Sequence, residues 1–99
     1  MMLINQKFVL CRYYGTGQKV FADGEIYNNN FTITAELMKE NSNKVETIII
    51  SFDEENTRKL FNLVKIKDFK EKFCGVEGAK KLEQFCRENK IKSEIKRHG

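Results

Sequence analysis

The segment TIIISFDEEN, residues 47–56, contains the point at which the hydrophobic period of the chain changes. Up to Phe52, apolar residues recur at every second position, a spacing that places them on one side of a β-strand. After Asp53 they recur at helical spacing, as in Leu60 and Val64. The change predicts an antiparallel sheet formed by the first half of the chain, with helices from the second half packed against it.

Four strands are predicted before the period change, separated by three short turns rich in Gly, Asn and Ser. The clearest is Phe31 to Met38, in which apolar residues alternate with Thr and Glu. The first strand, Leu3 to Tyr14, has apolar residues on both faces, which is typical of a central strand. These segments predict a four-stranded β-meander with short connections.

Two or three helices are predicted after the meander. Asp53 is expected to cap the first helix, and Asp68 a second helix that ends at Gly75. A third helix is expected over Glu77 to Glu88, and residues 91–96 then return to period two, which allows a short C-terminal edge strand rich in lysine.

The whole chain is therefore predicted to be a single α+β domain over residues 1–99: a four-stranded antiparallel β-meander with the helices on one face. A domain of this length buries only roughly 60 to 65% of its unfolded surface, so function is expected on the surface rather than in a deep cavity. No apolar run approaches the ~18 residues of a membrane span, and the first residues lack the parts of a signal peptide. We expect no membrane partner and a cytoplasmic protein.

Reactive residue types are few. Cys11, Cys74 and Cys86 are odd in number and form no C-x-x-C pair, which favours reduced, buried thiols. The one histidine, His98, is next to the end of the chain, so no metal site and no cofactor are predicted. Residues 15–17 read Gly-Thr-Gly, but the third glycine and the helix of a phosphate-binding loop are missing. No pattern requires a catalytic role, and the chain is predicted not to be an enzyme.

The net charge of +4 is concentrated near the C-terminus. Residues 1–52 contain five basic and five acidic residues, whereas seven basic residues oppose three acidic ones from Lys80 onward. A concentrated basic patch attracts anionic partners. The candidate binding residues in this region are Lys80, Lys81, Arg87, Lys90, Lys92, Lys96 and Arg97.

A second candidate binding surface surrounds the first hairpin, where two aromatic residues and two cations come together. These residues are Arg12, Tyr13, Tyr14 and Lys19. Such a group can stack bases and contact phosphate, or it can anchor in a groove of a protein partner. Because neighbours in a strand point to opposite faces, it stays open whether one tyrosine packs inside.

These observations favour a small non-catalytic protein that docks onto a larger protein or ribonucleoprotein partner. In length, Lys and Asn content and lack of catalytic motifs, the chain is similar to inhibitors encoded by phages and mobile elements, including anti-CRISPR proteins; the similarity is one of composition and involves no motif. The alternative is an RNA- or DNA-binding domain that uses the basic C-terminal patch and the Tyr13–Tyr14 hairpin. If the sheet face opposite the helices is apolar and left uncovered by the rest of the chain, a homodimer or a protein partner is expected.

Overall fold

The computed structural model describes residues 3–15, 17–73 and 75–98, with the backbone alone described at 75 and 76. The strands are β1 (Gln6–Gly15), β2 (Gln18–Tyr27), β3 (Asn30–Lys39), β4 (Val45–Phe52) and β5 (Glu94–His98). The helices are α1 (Glu54–Leu63), α2 (Ile66–Lys72) and α3 (Gly75–Glu88). The five strands form one antiparallel sheet in the order β1-β2-β3-β4-β5, which confirms the α+β class, the meander and the C-terminal edge strand.

The turns use residues that tolerate left-handed backbone. Asn28 and Asn29 have φ values of 50° and 64°, so they form the two-residue hairpin turn whose twist matches that of β2 and β3. In the turn between β1 and β2, Gly17 has a φ of 78°. Thr16, which belongs to the same predicted turn, lies outside the described residues.

Asp53 caps α1, as the sequence predicts. Its Oδ1 accepts a hydrogen bond from the backbone N–H of Asn56 at 2.9 Å and another from the Asn56 side chain at 2.8 Å. The acidic residues Glu54 and Glu55 follow in the first turn, where negative charge complements the helix dipole. Asn56 also accepts the backbone N–H of Lys92 at 2.9 Å, which ties the start of α1 to the segment that leads into β5.

The hydrogen bonds from the Asn56 backbone and side chain lower the pKa of the Asp53 carboxyl below its ordinary value of 3.8. A carboxyl whose pKa is lower in the folded state stabilises the fold above its unfolded pKa, and this contribution is lost as the pH falls through the folded pKa. Asp53→Asn keeps a good N-cap without the charge. We expect wild type to be more stable than this variant at about pH 7, and the difference to be lost as the pH is lowered through the range in which the folded Asp53 carboxyl becomes protonated. Urea unfolding across this pH range measures it, and a difference independent of pH would contradict the assignment.

The prediction for α2 is wrong in its boundaries. The N-cap is Lys65, and Asp68 lies at the third helical position, where its carboxylate accepts the backbone N–H of Lys65 at 2.8 Å. Asp68 therefore reaches back to the residue that begins the helix, as in a capping box, instead of beginning it. The helix ends at Lys72, and Gly75 begins α3 instead of ending α2.

The end of α3 returns the chain to the sheet. Lys90 has a left-handed φ of 58°, and the backbone N–H of Ile91 donates to the carbonyl oxygen of Cys86 at 2.8 Å. This pattern closes a helix that ends with a left-handed residue. The chain then pairs with β4 as β5, through contacts that include Ile50 opposite Ile95.

The core lies between the sheet and the helices and is centred on Phe31 of β3. The ring of Phe31 lies 4.9 to 6.0 Å, between centroids, from the rings of Phe8, Phe52, Phe61 and Phe69. Its backbone N–H donates to Oγ1 of Thr57 at 3.1 Å. Rings from β1, β4, α1 and α2 thus pack around one side chain of β3.

β1 is an edge strand, so the prediction of a central position is wrong. It pairs with β2, and the register shifts between Val9 and Cys11. Because of this bulge, the successive residues Leu10 and Cys11 are both buried, while Val9 stays exposed. The apolar residues at successive positions therefore reflect a bulge and not burial of both strand faces.

The prediction of three reduced thiols is wrong for Cys11, which is disulfide-bonded. Cys86 is free and buried, as predicted, and burial raises the pKa of its thiol to about 11. Cys74 lies outside the described residues. Spacing along the sequence does not reveal which distant residues become neighbours once the sheet and helices have packed, and this explains the error.

Candidate functional site

The sheet face opposite the helices, here called the open face, is not covered by any described element. The strand register places four cations and four carboxylates on it, so it is formally neutral. The cations are Lys7, Arg12, Lys19 and Lys96, and the carboxylates are those of Asp23, Glu25, Glu36 and Glu94. Four of the charges form two ion pairs between β1 and β2: Lys7 Nζ lies 3.4 Å from Glu25 Oε2, and Arg12 lies 2.6 Å from Asp23 Oδ1.

The middle of the open face consists of short, partly exposed side chains. They are Thr32, Thr34, Thr47, Ile49 and Ser51. β-Branched side chains have few accessible rotamers in a strand, so they lose little conformational entropy when another surface covers them. This neutral surface of short side chains suits contact with a protein better than contact with phosphate groups, which bind to excess positive charge.

The sheet continues past the helix layer at one end. On the helix side, the last buried row across the strands consists of Cys11, Ala22, Ala35 and Ile48. The next row consists of Tyr13, Val20, Leu37 and Glu46, none of which is buried. We call residues 12–15, 17–21 and 36–46, which lie beyond the last buried row, the distal sheet end. The elongated shape of the molecule, 45 × 24 × 21 Å, agrees with such an extension.

All four residues predicted around the first hairpin lie on the distal sheet end. Tyr13 is 51% exposed on the helix side and Tyr14 is 68% exposed on the open face, so neither packs inside. Arg12 donates to Asp23 Oδ1 at 2.6 Å, and its guanidinium carbon lies 5.1 Å from the centroid of the Phe21 ring. Tyr14 packs edge-on against the same ring at 5.7 Å between centroids. Arg12, Tyr14 and Phe21 form one ordered cluster on the open face.

Lys19 lies opposite Tyr14 across the hairpin and forms no ion pair with the described residues. Beside it, the tips of both hairpins border an open depression of about 650 Å³ that Gly17, Met38 and Lys39 help to line. A second depression, of about 570 Å³, lies on the open face over Thr32 and Thr34. Both depressions are shallow and open to solvent, so they are better suited to contact with another surface than to enclosing a small molecule.

The structure divides the predicted basic C-terminal patch between two sides of the molecule. Arg87 and Arg97 both donate to the carboxylate of Glu83, at 3.0 and 2.8 Å. Lys80 is 3.4 Å from Glu77 Oε1. Because neighbours in β5 alternate, Lys96 points to the open face while Arg97 points to the helix side.

Four of the seven predicted C-terminal cations lie outside the ion pairs of the described residues. Lys81, Lys90, Lys92 and Lys96 form no ion pair within the described part of the chain. They do not join the hairpin cluster: Lys81 and Lys90 lie on α3 and the turn after it, in the helix layer. The two predicted binding surfaces are therefore separate.

A further basic cluster, which the sequence patterns do not predict, lies in α2 and its N-cap. Its members are Lys65, Lys67, Lys70 and Lys72. All four are exposed, and none forms an ion pair with a described residue. Residues 65–72 contain four lysines and only two acidic residues, Asp68 and Glu71, so the local excess of positive charge can be read from the sequence. It is missed when charge is counted over the whole middle of the chain, because the acidic residues at the start of α1 cancel it.

The pKa shifts of Asp53 and Cys86 both have structural causes. Asp53 borders an open depression of about 440 Å³, but its carboxylate is already occupied by Asn56 as the cap of α1. Cys86 lies in the core, where burial keeps its thiol protonated. Within the described residues, no three His, Cys, Asp or Glu side chains are grouped so that they could hold a metal ion.

None of the described helices combines the length and the hydropathy needed to cross a bilayer. No protein-family model matches the chain, and no curated protein or solved structure is significantly similar to it.

Proposed function

We propose that the chain is a non-catalytic binding protein that docks onto a folded protein, alone or within a ribonucleoprotein, through its distal sheet end. The observation that supports this most is the exposure of apolar and aromatic side chains on both faces of the sheet beyond the core. Tyr13 is exposed on one face, and Tyr14 and Val45 on the other. An element that is apolar on both faces and extends from the body of a protein can be gripped by a cleft of a partner.

The residue types at the distal sheet end favour a protein partner. Tyr and Arg are enriched among the residues that dominate the binding energy of interfaces, because they bury a large area and keep a polar group at the tip. The salt bridge to Asp23 and the contact with Phe21 hold Arg12 in place, so less entropy is lost on binding. The charges of the distal sheet end nearly balance, so it lacks the large excess of positive charge that binding of phosphate groups requires. Its cations are Arg12, Lys19, Lys39 and Lys44, and its carboxylates are those of Glu36, Glu40 and Glu46.

Docking of this kind fits an inhibitor, since occlusion of a partner's surface needs adhesion and no chemistry. The proposal extends to the class that the composition resembles, the small inhibitors of phages and mobile elements with the anti-CRISPR proteins among them. Their target would be a protein or ribonucleoprotein surface with a cleft wide enough for a β-hairpin.

A second candidate function is binding of RNA or DNA by the helix layer. It is supported by the lysines of α2 and by Lys81, Lys90 and Lys92, which form no ion pairs among the described residues. The Tyr13–Tyr14 hairpin would not take part, because it lies at the distal sheet end, beyond the helices. Such binding would weaken steeply with salt, by about one unit of log–log slope for each phosphate neutralised.

The docking proposal predicts that Tyr13→Ser/Tyr14→Ser abolishes partner binding. Truncation of a central aromatic side chain typically costs about 2 kcal/mol or more, and two of them should weaken affinity more than about a hundredfold. The measurement is affinity capture from nuclease-treated cell extract with the wild-type chain and the variant side by side, with quantitative mass spectrometry. Proteins recovered by wild type should be lost with the double variant.

The matched control is Tyr27→Ser. Tyr27 is 62% exposed on the open face but lies at the other end of β2. This variant should recover the same proteins as wild type, and circular dichroism should show that all variants fold. The proposal fails if no captured protein depends on the tyrosine pair. Capture from untreated extract that is lost with nuclease and does not depend on the tyrosines would favour the second candidate.

A further inference from the structure

The free edge of β1 runs beside a basic helix. β1 pairs with β2 on one side, and no described strand pairs with it on the other. Alternate residues of such an edge direct their N–H and C=O groups away from the sheet, where another chain can bond to them. α2 packs against β1 from the helix layer, so the helix that carries the lysines lies next to this strand.

Residues 6–9 form the part of the edge that precedes the bulge. They pair with β2 in unbroken register, from Gln6 opposite Ile26 to Val9 opposite Asp23, and the bulge follows directly. α2 lies behind this part, since the ring of Phe69 is 5.4 Å from Phe31, which stacks on Phe8 at 6.0 Å. Six of the ten residues of β1 are exposed, among them Gln6, Lys7 and Val9.

The opposite edge of the sheet is less suited to bind a chain. β5 has five residues, and its cations Lys96 and Arg97 follow one another, as is common in edges that discourage pairing. Arg97 also ties the strand to Glu83 of α3 at 2.8 Å. The two edges therefore differ in length and in the chemistry that surrounds them.

The surroundings of the β1 edge are basic. The cations of β1 itself, Lys7 and Arg12, are paired with Glu25 and Asp23 of β2. The unpaired positive charge beside the edge therefore comes from α2 and its cap, which carry four lysines without ion pairs to described residues. α2 also contains Asp68 and Glu71, and the Asp68 carboxylate already accepts a hydrogen bond from the backbone N–H of Lys65. A second copy paired edge to edge would bring like charges together, which is unfavourable for strand pairing.

We propose that the β1 edge, at residues 6–9, accepts an extended acidic segment of a protein partner as a sixth strand. The backbone of the segment bonds to the outward groups of β1, and its carboxylates contact the lysines of α2. Strand addition of this type obtains affinity from main-chain hydrogen bonds and selectivity from the side chains beside them. Excess positive charge selects an acidic segment.

This inference adds to the proposed function the chemistry of one segment of the partner. It rests on the proposed function in one respect, that the partner is a protein. It concerns a surface away from the distal sheet end. The two proposals can therefore fail separately.

The test uses a blocked synthetic peptide of about ten residues, long enough to span β1, in which Val and Thr alternate with Glu. The peptide is titrated into the isotope-labelled full chain at about 0.1 M salt, where the screening length is about 10 Å, and amide chemical shifts are followed by NMR. We expect shift changes at residues 6–9 and in α2. Lys67→Glu/Lys70→Glu should weaken binding at least about tenfold, and so should N-methylation of alternate peptide amides, which removes donors to the edge.

The matched control is Lys81→Glu/Lys90→Glu, which changes the net charge equally at α3 and the turn after it. It should retain affinity within about threefold, since α3 packs mainly against β2, β3 and β4, whereas α2 packs against β1. Tyr13→Ser/Tyr14→Ser should also bind the peptide as wild type does, whatever the outcome of the capture experiment.

The proposal is overturned if the peptide produces no shifts, or shifts only at the distal sheet end or the open face. It is also overturned if both double lysine variants weaken binding equally, or if N-methylation has no effect, because attraction would then be unspecific. An oligothymidine of about ten nucleotides that shifts the α2 amides as strongly as the peptide would assign the lysines to nucleic acid instead.

Discussion

Replacing Phe31 with alanine is expected to lower the free energy of unfolding by about 3 to 5 kcal/mol. The side chain is fully buried and packs against four other aromatic rings. Its removal loses the transfer free energy of the ring and leaves a cavity between sheet and helices that these rings cannot fill without leaving their rotamers. A small domain has about 5 to 15 kcal/mol in total, so the variant should be close to unfolding at ambient temperature.

Urea unfolding followed by circular dichroism measures this loss, and two variants serve as references. Phe31→Leu keeps much of the buried volume and should cost clearly less. Phe21→Ala removes the same side chain from the open face, where it is only partly buried, and should cost about 1 kcal/mol. Equal losses for Phe31→Ala and Phe21→Ala would mean that the core is not centred on Phe31.

The position of Phe31 also explains why the distal sheet end is available for binding. The aromatic cluster lies where the β2–β3 turn, the end of β4 and the helices meet, so the helices cover one half of the strands. Ten-residue strands are longer than this core requires. The extra length holds Tyr13 and Tyr14 on a rigid element at a distance from the charged helix layer.

Local periodicity was sufficient to predict the meander. Alternation in β3 and β4 and the period change at Asp53 depend on residues close in sequence, and each segment buries one face as the pattern requires. The errors arise where one residue alters the period or where a side chain inside a helix bonds to the residue that begins it. The bulge at Leu10 makes an edge strand look buried on both faces, and the contact of Asp68 with the Lys65 backbone shifts the start of α2.

The candidate site was predictable to a similar degree. Arg12, Tyr13, Tyr14 and Lys19 lie together because a hairpin joins close neighbours, and this needs no knowledge of the rest of the fold. The basic C-terminal patch is different, because Arg97 reaches Glu83 across fourteen residues and alternation in β5 sends Lys96 to the other face. Charge that is concentrated in sequence is thus divided in space by strand geometry.

Reduction of the disulfide bond of Cys11 is expected to lower the free energy of unfolding by about 2 to 5 kcal/mol. The bond restricts the unfolded chain, and in the folded state it holds β1 beside its bulge, where pairing with β2 is interrupted. Thermal unfolding with and without a phosphine reductant measures the effect. The melting temperature of wild type should fall on reduction, while that of Cys11→Ala should already be low and should not respond.

Cys86→Ala is the matched control and should respond to reductant as wild type does, because the Cys86 thiol is free. Its buried thiol, with a pKa of about 11, should also resist alkylation until the protein unfolds. A wild type that is indifferent to reductant would contradict a stabilising bond.

The size of the loss also tests the predicted cytoplasmic location. Cytosolic thiols are kept reduced, so a cytoplasmic chain must fold without this bond. If the reduced protein keeps a cooperative transition well above growth temperature, the aromatic core is sufficient and the prediction stands. If the reduced protein unfolds at or below growth temperature, the strand that carries Arg12, Tyr13 and Tyr14 depends on the disulfide bond. An oxidising compartment then becomes the expected location.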